Sequence, residues 1–274
     1  MSRVRAPSIA PFSKDSMTLI DAIILGIVQG ITEFLPVSSS GHLQIAQYLL
    51  GLQDLKKYIL FDLSCHLGTL LAIFFVFFQP LKEVVLRDTQ RRWQIAVAIL
   101  PLFPLVLVLK PIKALYSDQG LLGFFFLATS AILFLGSWLG QRGVKEGQKG
   151  MRDALYIGLW QAAAIFPGVS RSGATISGAR LLGWTPYESV VFSFMIAIPT
   201  VLGGTVLEIY SFWKHPEQYA SLSFSHYAVG FIFSFLLGCG ALKLLVRIVD
   251  RYRLTFFAWY CLFLGLATSA YFHL

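Results

Sequence analysis

The sequence predicts an all-α polytopic membrane protein, with about six transmembrane helices and two re-entrant helical hairpins in an inverted-topology repeat. Three observations predict it. Of 274 residues, 56% are hydrophobic and 13% charged, with a mean hydropathy of +0.69, more apolar side chain than one soluble core can hide. Apolar runs of spanning length, about 17 to 25 residues, recur along the chain. Finally, one stretch is written twice: residues 21–51 align without a gap on 153–183, with about 12 of 31 positions identical, the mark of an internal repeat.

Residues 1–16 contain prolines and basic residues but no apolar core of a signal peptide. They read as a disordered tail, or Met17 as the start, ahead of one membrane domain over 17–274. The first repeat, 21–51, begins as an apolar helix, breaks at Pro36-Val-Ser38-Ser39-Ser40-Gly41 and resumes as a short helix ending at Gly51. Spans are expected next over Ile59 to Phe78, Trp93 to Leu109 and Leu121 to Leu139. The second repeat, 153–183, breaks at Pro167-Gly-Val-Ser170-Arg171-Ser172-Gly173. Spans follow over Ser189 to Tyr210, Tyr227 to Leu245 and Leu254 to Phe272. Proline removes a backbone donor and serines compete for backbone hydrogen bonds, so the chain opens at both breaks. Open backbone at membrane depth is tolerated only inside protein or beside a water-filled cavity, which makes both repeats re-entrant hairpins.

Charge sets the orientation. Counting the hairpins as non-crossing, one set of loops holds Lys82, Arg87, Arg91 and Arg92, then Arg142, Lys145, Lys149 and Arg152, then Arg247, Arg251 and Arg253. The other set holds little beyond Lys56, Lys57, Lys110, Lys113 and Lys214. The first set is expected in the cytoplasm by the positive-inside rule. The net charge of +8 is thus a topology signal and not a nucleic-acid footprint. An odd number of spans separates the repeats, so they enter from opposite faces and their tips can meet inside the membrane. Cys65, Cys239 and Cys261 lie in apolar runs with no pairing or metal spacing and read as packing.

The chemistry concentrates at the two breaks. Gln29 and Glu33 fall one turn apart on one helix face, and a carboxylate at that depth is costly unless paired or functional. After the break, a helix restarting at Ser38-Ser39-Ser40-Gly41-His42 turns free amides and a positive dipole end toward an anion. In the second copy, Arg171 replaces Ser39, Ile165 replaces Glu33 and Ala174 replaces His42. Arg171 cannot lose its proton and presents a planar fork flanked by Ser170, Ser172 and Thr175. An arginine inside a bilayer faces a cavity and seeks an anion, or pairs with Glu33 as a structural contact. Hydroxyl, imidazole, carboxylate, guanidinium and two helix N-termini together suit a phosphate or pyrophosphate ester.

The stretches Gly26-Ile-Val-Gln-Gly-Ile-Thr-Glu-Phe-Leu-Pro-Val-Ser-Ser-Ser-Gly-His42 and Pro167-Gly-Val-Ser-Arg-Ser-Gly-Ala-Thr175 resemble the two signatures of the undecaprenyl-diphosphate phosphatase, or bacitracin-resistance, family. The likeness runs from Met17 over nearly the whole chain. It implies hydrolysis of a polyprenyl diphosphate lipid to its monophosphate and inorganic phosphate, in the bacterial cytoplasmic (inner) membrane, with the site facing the outer, periplasmic side. It implies catalytic roles for Glu33, Ser39, His42 and Arg171, and substrate binding through Gln29, Ser38, Ser40, Ser170, Ser172 and Thr175. The family is similar in being helped by Mg2+ or Ca2+. Glutamine at position 29, where the family accepts glutamate or glutamine, removes one metal-binding carboxylate, so no tightly bound cofactor is expected and no metal ligands are assigned. The family usually has glutamine where this chain has His66, so Asp62 and His66 form an additional pair one turn apart, read as a satisfied buried pair ahead of a catalytic one. A homodimer is compatible with these residues and is not determined by them.

Two other classes remain. A different phosphatase class shares Ser-Gly-His and Ser-Arg motifs but needs a later histidine where this chain has Ser177. Broken helices in inverted repeats are also transporter architecture, so a polyprenyl-phosphate flippase is the alternative reading. The asymmetry of the repeats favours the enzyme, because a pure transporter needs no serine, histidine and glutamate in one copy alone.

Overall fold

The computed structural model describes residues 14, 16–52, 54–108, 119–140, 149–166, 168–248 and 254–273. Among them every regular element is helical. The first hairpin is α1 (Leu19–Thr32) and α2 (Ser39–Leu49), followed by α3 (Ile59–Val76), α4 (Phe78–Leu86) and α5 (Thr89–Ile99). After α6 (Leu122–Leu139) comes the second hairpin, α7 (Met151–Ala163) and α8 (Arg171–Leu181). The chain ends in α9 (Pro186–Lys214), α10 (Phe224–Ile248) and α11 (Thr255–His273).

Among the described residues, five helical segments are long and apolar enough to cross a membrane: Ile59–Val76, Gln119–Leu139, Pro186–Lys214, Phe224–Arg247 and Thr255–His273. Their outer faces carry exposed Phe75, Trp138, Val206 and Phe263, a cost in water and a fit to lipid. The chain is a multi-pass membrane protein. The run expected as a sixth span, Trp93 to Leu109, departs from a single helix. Here α5 stops at Ile99, and short 3-10 turns follow at Leu100–Leu102 and Pro104–Val108. Pro101 and Pro104 supply no N–H to the α-helical ladder and end it.

Both repeats fold back on themselves as the breaks predict. At the open end of the first, the Lys14 N–H donates to the Gly51 carbonyl at 3.1 Å. At the open end of the second, Trp184 Nε1 donates to Asp153 Oδ2 at 3.3 Å. Gly51 and Gly183, equivalent in the repeat, take φ of 79° and 80°, the left-handed conformation that terminates a helix at low cost only for glycine. The Thr18 hydroxyl and the Asp21 carboxylate close a capping box at the start of α1. Of the residues expected in the tail, 1–13 and 15 lie outside the described residues, while Lys14 Nζ pairs with Asp21 Oδ1 at 3.0 Å.

The packing partners exchange between the halves. Helix α1 lies on α10 as α7 lies on α5, and α3 lies on α10 as α9 lies on α5. Small residues permit these approaches. A Cβ on Gly26 would sit 2.8 Å from the Gly230 carbonyl oxygen, and one on its counterpart Gly158 would press closer still on the Ala98 carbonyl. Hydroxyls join α6 to α11, with Ser130 donating to the Ala258 carbonyl at 2.8 Å and Ser137 meeting Thr255 at 2.6 Å.

Basic residues gather at one end of the bundle. Arg91 lies over the Trp184 and Phe192 rings, 5.4 and 5.5 Å from their centroids, Lys149 pairs with Glu188 at 2.7 Å, and α7 and α9 both start there. At the other end the Met17 carbonyl meets His226 Nε2 at 3.1 Å and the Lys57 carbonyl accepts from Ala220 N at 2.9 Å. Arg142, Lys145, Arg251, Arg253, Lys110 and Lys113, which also entered the orientation argument, lie outside the described residues.

Candidate active site

The last turn of α1 places Gln29 and Glu33 in contact, Gln29 Nε2 donating to Glu33 Oε2 at 2.9 Å. The chain then leaves the helix and reaches Ser38 with φ 71° and ψ 90°. A non-glycine residue at that φ stores roughly 1–3 kcal/mol of strain that its surroundings must hold. Three contacts hold it. The Ser38 hydroxyl accepts from Gly41 N at 3.3 Å, while its carbonyl accepts from His42 N at 3.2 Å and His42 Nδ1 at 2.7 Å. Ser39, the first residue of α2, is thereby turned so that its hydroxyl donates to Glu33 Oε2 at 2.6 Å.

The second tip is braced by Thr129 of α6, which donates to the Gly168 carbonyl at 3.1 Å and accepts from Ser170 N at 3.0 Å. The Ser170 hydroxyl caps α8 through Gly173 N at 3.0 Å, the counterpart of the Ser38 cap. Thr175 donates to the Arg171 carbonyl at 2.9 Å and shares a 2.6 Å hydrogen bond with Ser193 of α9. Pro167 lies outside the described residues.

The tips meet. Arg171 Nη2 donates to Glu33 Oε1 at 3.0 Å, Ser172 Oγ donates to the Leu35 carbonyl at 3.4 Å, and Gly168 N donates to Ser40 Oγ at 3.4 Å. The pairing of Arg171 with Glu33 uses only one guanidinium nitrogen. Nη1 is buried without a hydrogen-bond partner among the described residues. Between the tips is a cavity of about 180 Å³ whose polar wall is Glu33, Ser38, Ser39, Ser40, His66, Ser170, Arg171 and Ser172, with Phe166, Val169 and Val201 among its apolar residues. Both α2 and α8 begin at residues on this wall, which brings two helix N-termini with their positive dipole ends to it.

Not every expected residue reaches the wall. Gln29 acts through Glu33, and Thr175 is buried behind Arg171. His42 is turned away: its ring stacks on Tyr260 at 5.6 Å, with Nε2 2.7 Å from the Tyr260 hydroxyl. Asp62 accepts from Gln47 Nε2 at 2.7 Å, whereas His66 lines the cavity with Nε2 3.7 Å from Glu33 Oε2. Sequence reasoning missed Thr129 and Tyr260. Thr129 is a lone hydroxyl in an apolar run, a signal that many structural residues share. Tyr260 is 218 positions from His42, beyond any local pattern.

Glu33 is the one carboxylate on the cavity wall, and Arg171, Gln29 and Ser39 already occupy its oxygens. Among the described residues no cluster of three His, Cys, Asp or Glu side chains is arranged to hold a metal ion. One carboxylate supplies few of the oxygen ligands that a protein-held divalent ion takes.

A family model described as bacitracin resistance protein BacA matches residues 22–267. The chain is similar to an undecaprenyl-diphosphatase of Protochlamydia amoebophila (strain UWE25), 47% identical over 259 residues that cover 94% of this chain and 100% of that protein. It is 36% identical to an undecaprenyl-diphosphatase of Carboxydothermus hydrogenoformans, over 91% of this chain and 95% of the relative. A third, from Christiangramia forsetii, is also 36% identical, over 92% and 97%. With a match of this length and relatives covered end to end, the chain belongs to the bacitracin resistance protein BacA family.

Proposed function

We propose that the chain hydrolyses undecaprenyl diphosphate to undecaprenyl phosphate and inorganic phosphate, recycling the lipid carrier for cell-wall synthesis and conferring bacitracin resistance. The family membership and the relatives' names support the reaction. The observation that carries the chemistry is the joint between the tips: a serine hydroxyl held at 2.6 Å by a carboxylate that the opposite tip's arginine also holds at 3.0 Å.

The terminal phosphoryl group enters between α2 and α8, where the free Arg171 Nη1 and the first-turn amides take its oxygens. Ser39 Oγ, or a water beside it, attacks the phosphorus while Glu33 orients the hydroxyl. The bond to the bridging oxygen breaks, and the lipid monophosphate leaves. Charge grows on the phosphoryl oxygens in the transition state, where fixed donors stabilise it more than in the ground state. His42 holds the Ser38 carbonyl in its left-handed geometry and so positions Ser39; to move a proton itself it must first leave Tyr260.

The bundle end carrying Arg91, Lys149 and Arg152 is placed in the cytoplasm of a bacterial inner membrane, with the site open to the periplasm. The two hairpins start at opposite ends of the bundle, α1 beside His226 and α7 beside Glu188, which supports an inverted repeat. It also supports a crossing by the interrupted segment 89–108, the packing counterpart of α10. Phosphate release from undecaprenyl diphosphate by the purified protein in detergent tests the reading. Release is expected; no release, combined with transfer of the lipid monophosphate between leaflets of proteoliposomes, would establish the flippase instead.

A further inference from the structure

Attack by a hydroxyl or a water frees a proton, and the cavity wall must supply a group to take it. Glu33 already accepts from three donors, Arg171 on Oε1 and Gln29 and Ser39 on Oε2, so a proton it receives from Ser39 must move on for its pairing with Arg171 to be kept. Arg171 keeps its proton. His42 is off the wall, its Nε2 on the Tyr260 hydroxyl. The remaining side chain on the described wall with a ring nitrogen able to accept a proton is His66.

Its geometry suits that task. His66 Nδ1 lies 2.8 Å from the Asp62 carbonyl one turn back. A carbonyl only accepts, so Nδ1 carries the hydrogen, and in the neutral ring the lone pair is on Nε2. That lone pair sits 3.7 Å from Glu33 Oε2, the same oxygen that holds the Ser39 hydroxyl. The turn carrying it is fixed from behind by the hydrogen bond from Gln47 to the Asp62 carboxylate, 2.7 Å long.

We propose that His66 is a further catalytic residue, the proton acceptor of this site. The inference rests on the phosphatase reading above. As the new O–P bond forms, the proton of the Ser39 hydroxyl passes by way of Glu33 Oε2 to Nε2, or Nε2 takes the proton of the attacking water directly, and the electron pair of the breaking P–O bond leaves on the bridging oxygen of the lipid monophosphate. The resulting imidazolium pairs with Glu33 and then returns its proton to that bridging oxygen. If Ser39 is the nucleophile, the same imidazole takes a proton from the water that cleaves the phosphoserine. The resemblance implies that the family usually has glutamine at this position, so glutamine is a substitution that the fold accepts.

The test uses the purified full chain and phosphate release from undecaprenyl diphosphate. His66→Gln is expected to lower kcat at least about ten-fold with KM within about three-fold, since general-base contributions run from about 10² to 10⁴ when no other group substitutes. Added imidazole is expected to restore turnover to His66→Ala in a saturable way and not to His42→Ala. No release by the unaltered protein overturns the phosphatase reading and this inference together. An active parent with His66→Gln within about three-fold of it in kcat overturns the inference alone, as does imidazole recovery equal in the two alanine variants or absent from both. Thermal unfolding in detergent identifies a misfolded alanine variant, and the glutamine result then decides.

Discussion

Lysine at position 171 separates charge from geometry at the joint between the tips. Arg171 Nη2 holds Glu33 Oε1 at 3.0 Å, while Nη1, buried and without a partner among the described residues, is the edge assigned to the phosphoryl group. Lysine offers one point of charge and can keep Glu33 or reach the phosphate, not both. The loss is one charge-assisted hydrogen bond, about 1.5–3 kcal/mol, or roughly 10- to 150-fold in kcat/KM. Alanine removes both contacts, two charge-assisted hydrogen bonds, about 3–6 kcal/mol or roughly 150- to 25,000-fold in kcat/KM. Phosphate release gives kcat and KM for the three proteins, and titration with a non-hydrolysable diphosphate analogue gives ground-state affinity. Arg171→Lys within about three-fold of the parent in both measurements would falsify the fork argument and leave a point charge as sufficient.

The remaining tests address different parts of the molecule. Ser39→Ala is expected to lose about two to three orders of magnitude in turnover yet bind the same analogue within a few-fold; if affinity drops as far as in Arg171→Ala, cleavage and binding are not divided between the tips. Gly26→Ala and Gly158→Ala force a Cβ onto the carbonyls of Gly230 and Ala98. Each is expected to destabilise by about 1–3 kcal/mol despite alanine's better helix propensity, and an unchanged thermal transition would show that the helices separate freely. In a cysteine-free background, Glu217→Cys should react with a membrane-impermeant thiol reagent in intact cells and Asp88→Cys should not; the opposite pattern inverts the protein. Chelator treatment should leave the thermal transition of the substrate-free protein unmoved, because Glu33 is the one carboxylate on the described wall and its oxygens already accept hydrogen bonds, and a marked fall in stability would reveal a resident divalent-ion site.

Much of the site was legible because its signals are local. Gln29 and Glu33 meet because one turn separates them. Ser38 and Ser170 cap α2 and α8 because a serine before a restarting helix has two or three orphan amides within reach. The breaks at both tips, the glycines closing each hairpin and the opposed charges of Glu33 and Arg171 could be read residue by residue. The span expected over Trp93 to Leu109 shows the limit of reading hydropathy. Its apolar content was right, yet Pro101 and Pro104 divide it, and the backbone needs its N–H groups whatever the side chains prefer.

Sequence by itself determined that the chain is a multi-pass membrane protein, that it carries two broken hairpins of unlike chemistry, and which residues stand at each break. Composition, helical period and capping act over a few residues and need no knowledge of the fold. Only the tertiary structure decided which side chains share the cavity. It turned His42 toward Tyr260 and away from the wall, and brought His66 to Glu33 and Thr129 to the second tip. These choices depend on how α3, α6 and α11 pack against the hairpins. A side chain's direction relative to a neighbour hundreds of positions away is set by helix packing and by the small residues that permit close approach, and no local pattern in the chain records it.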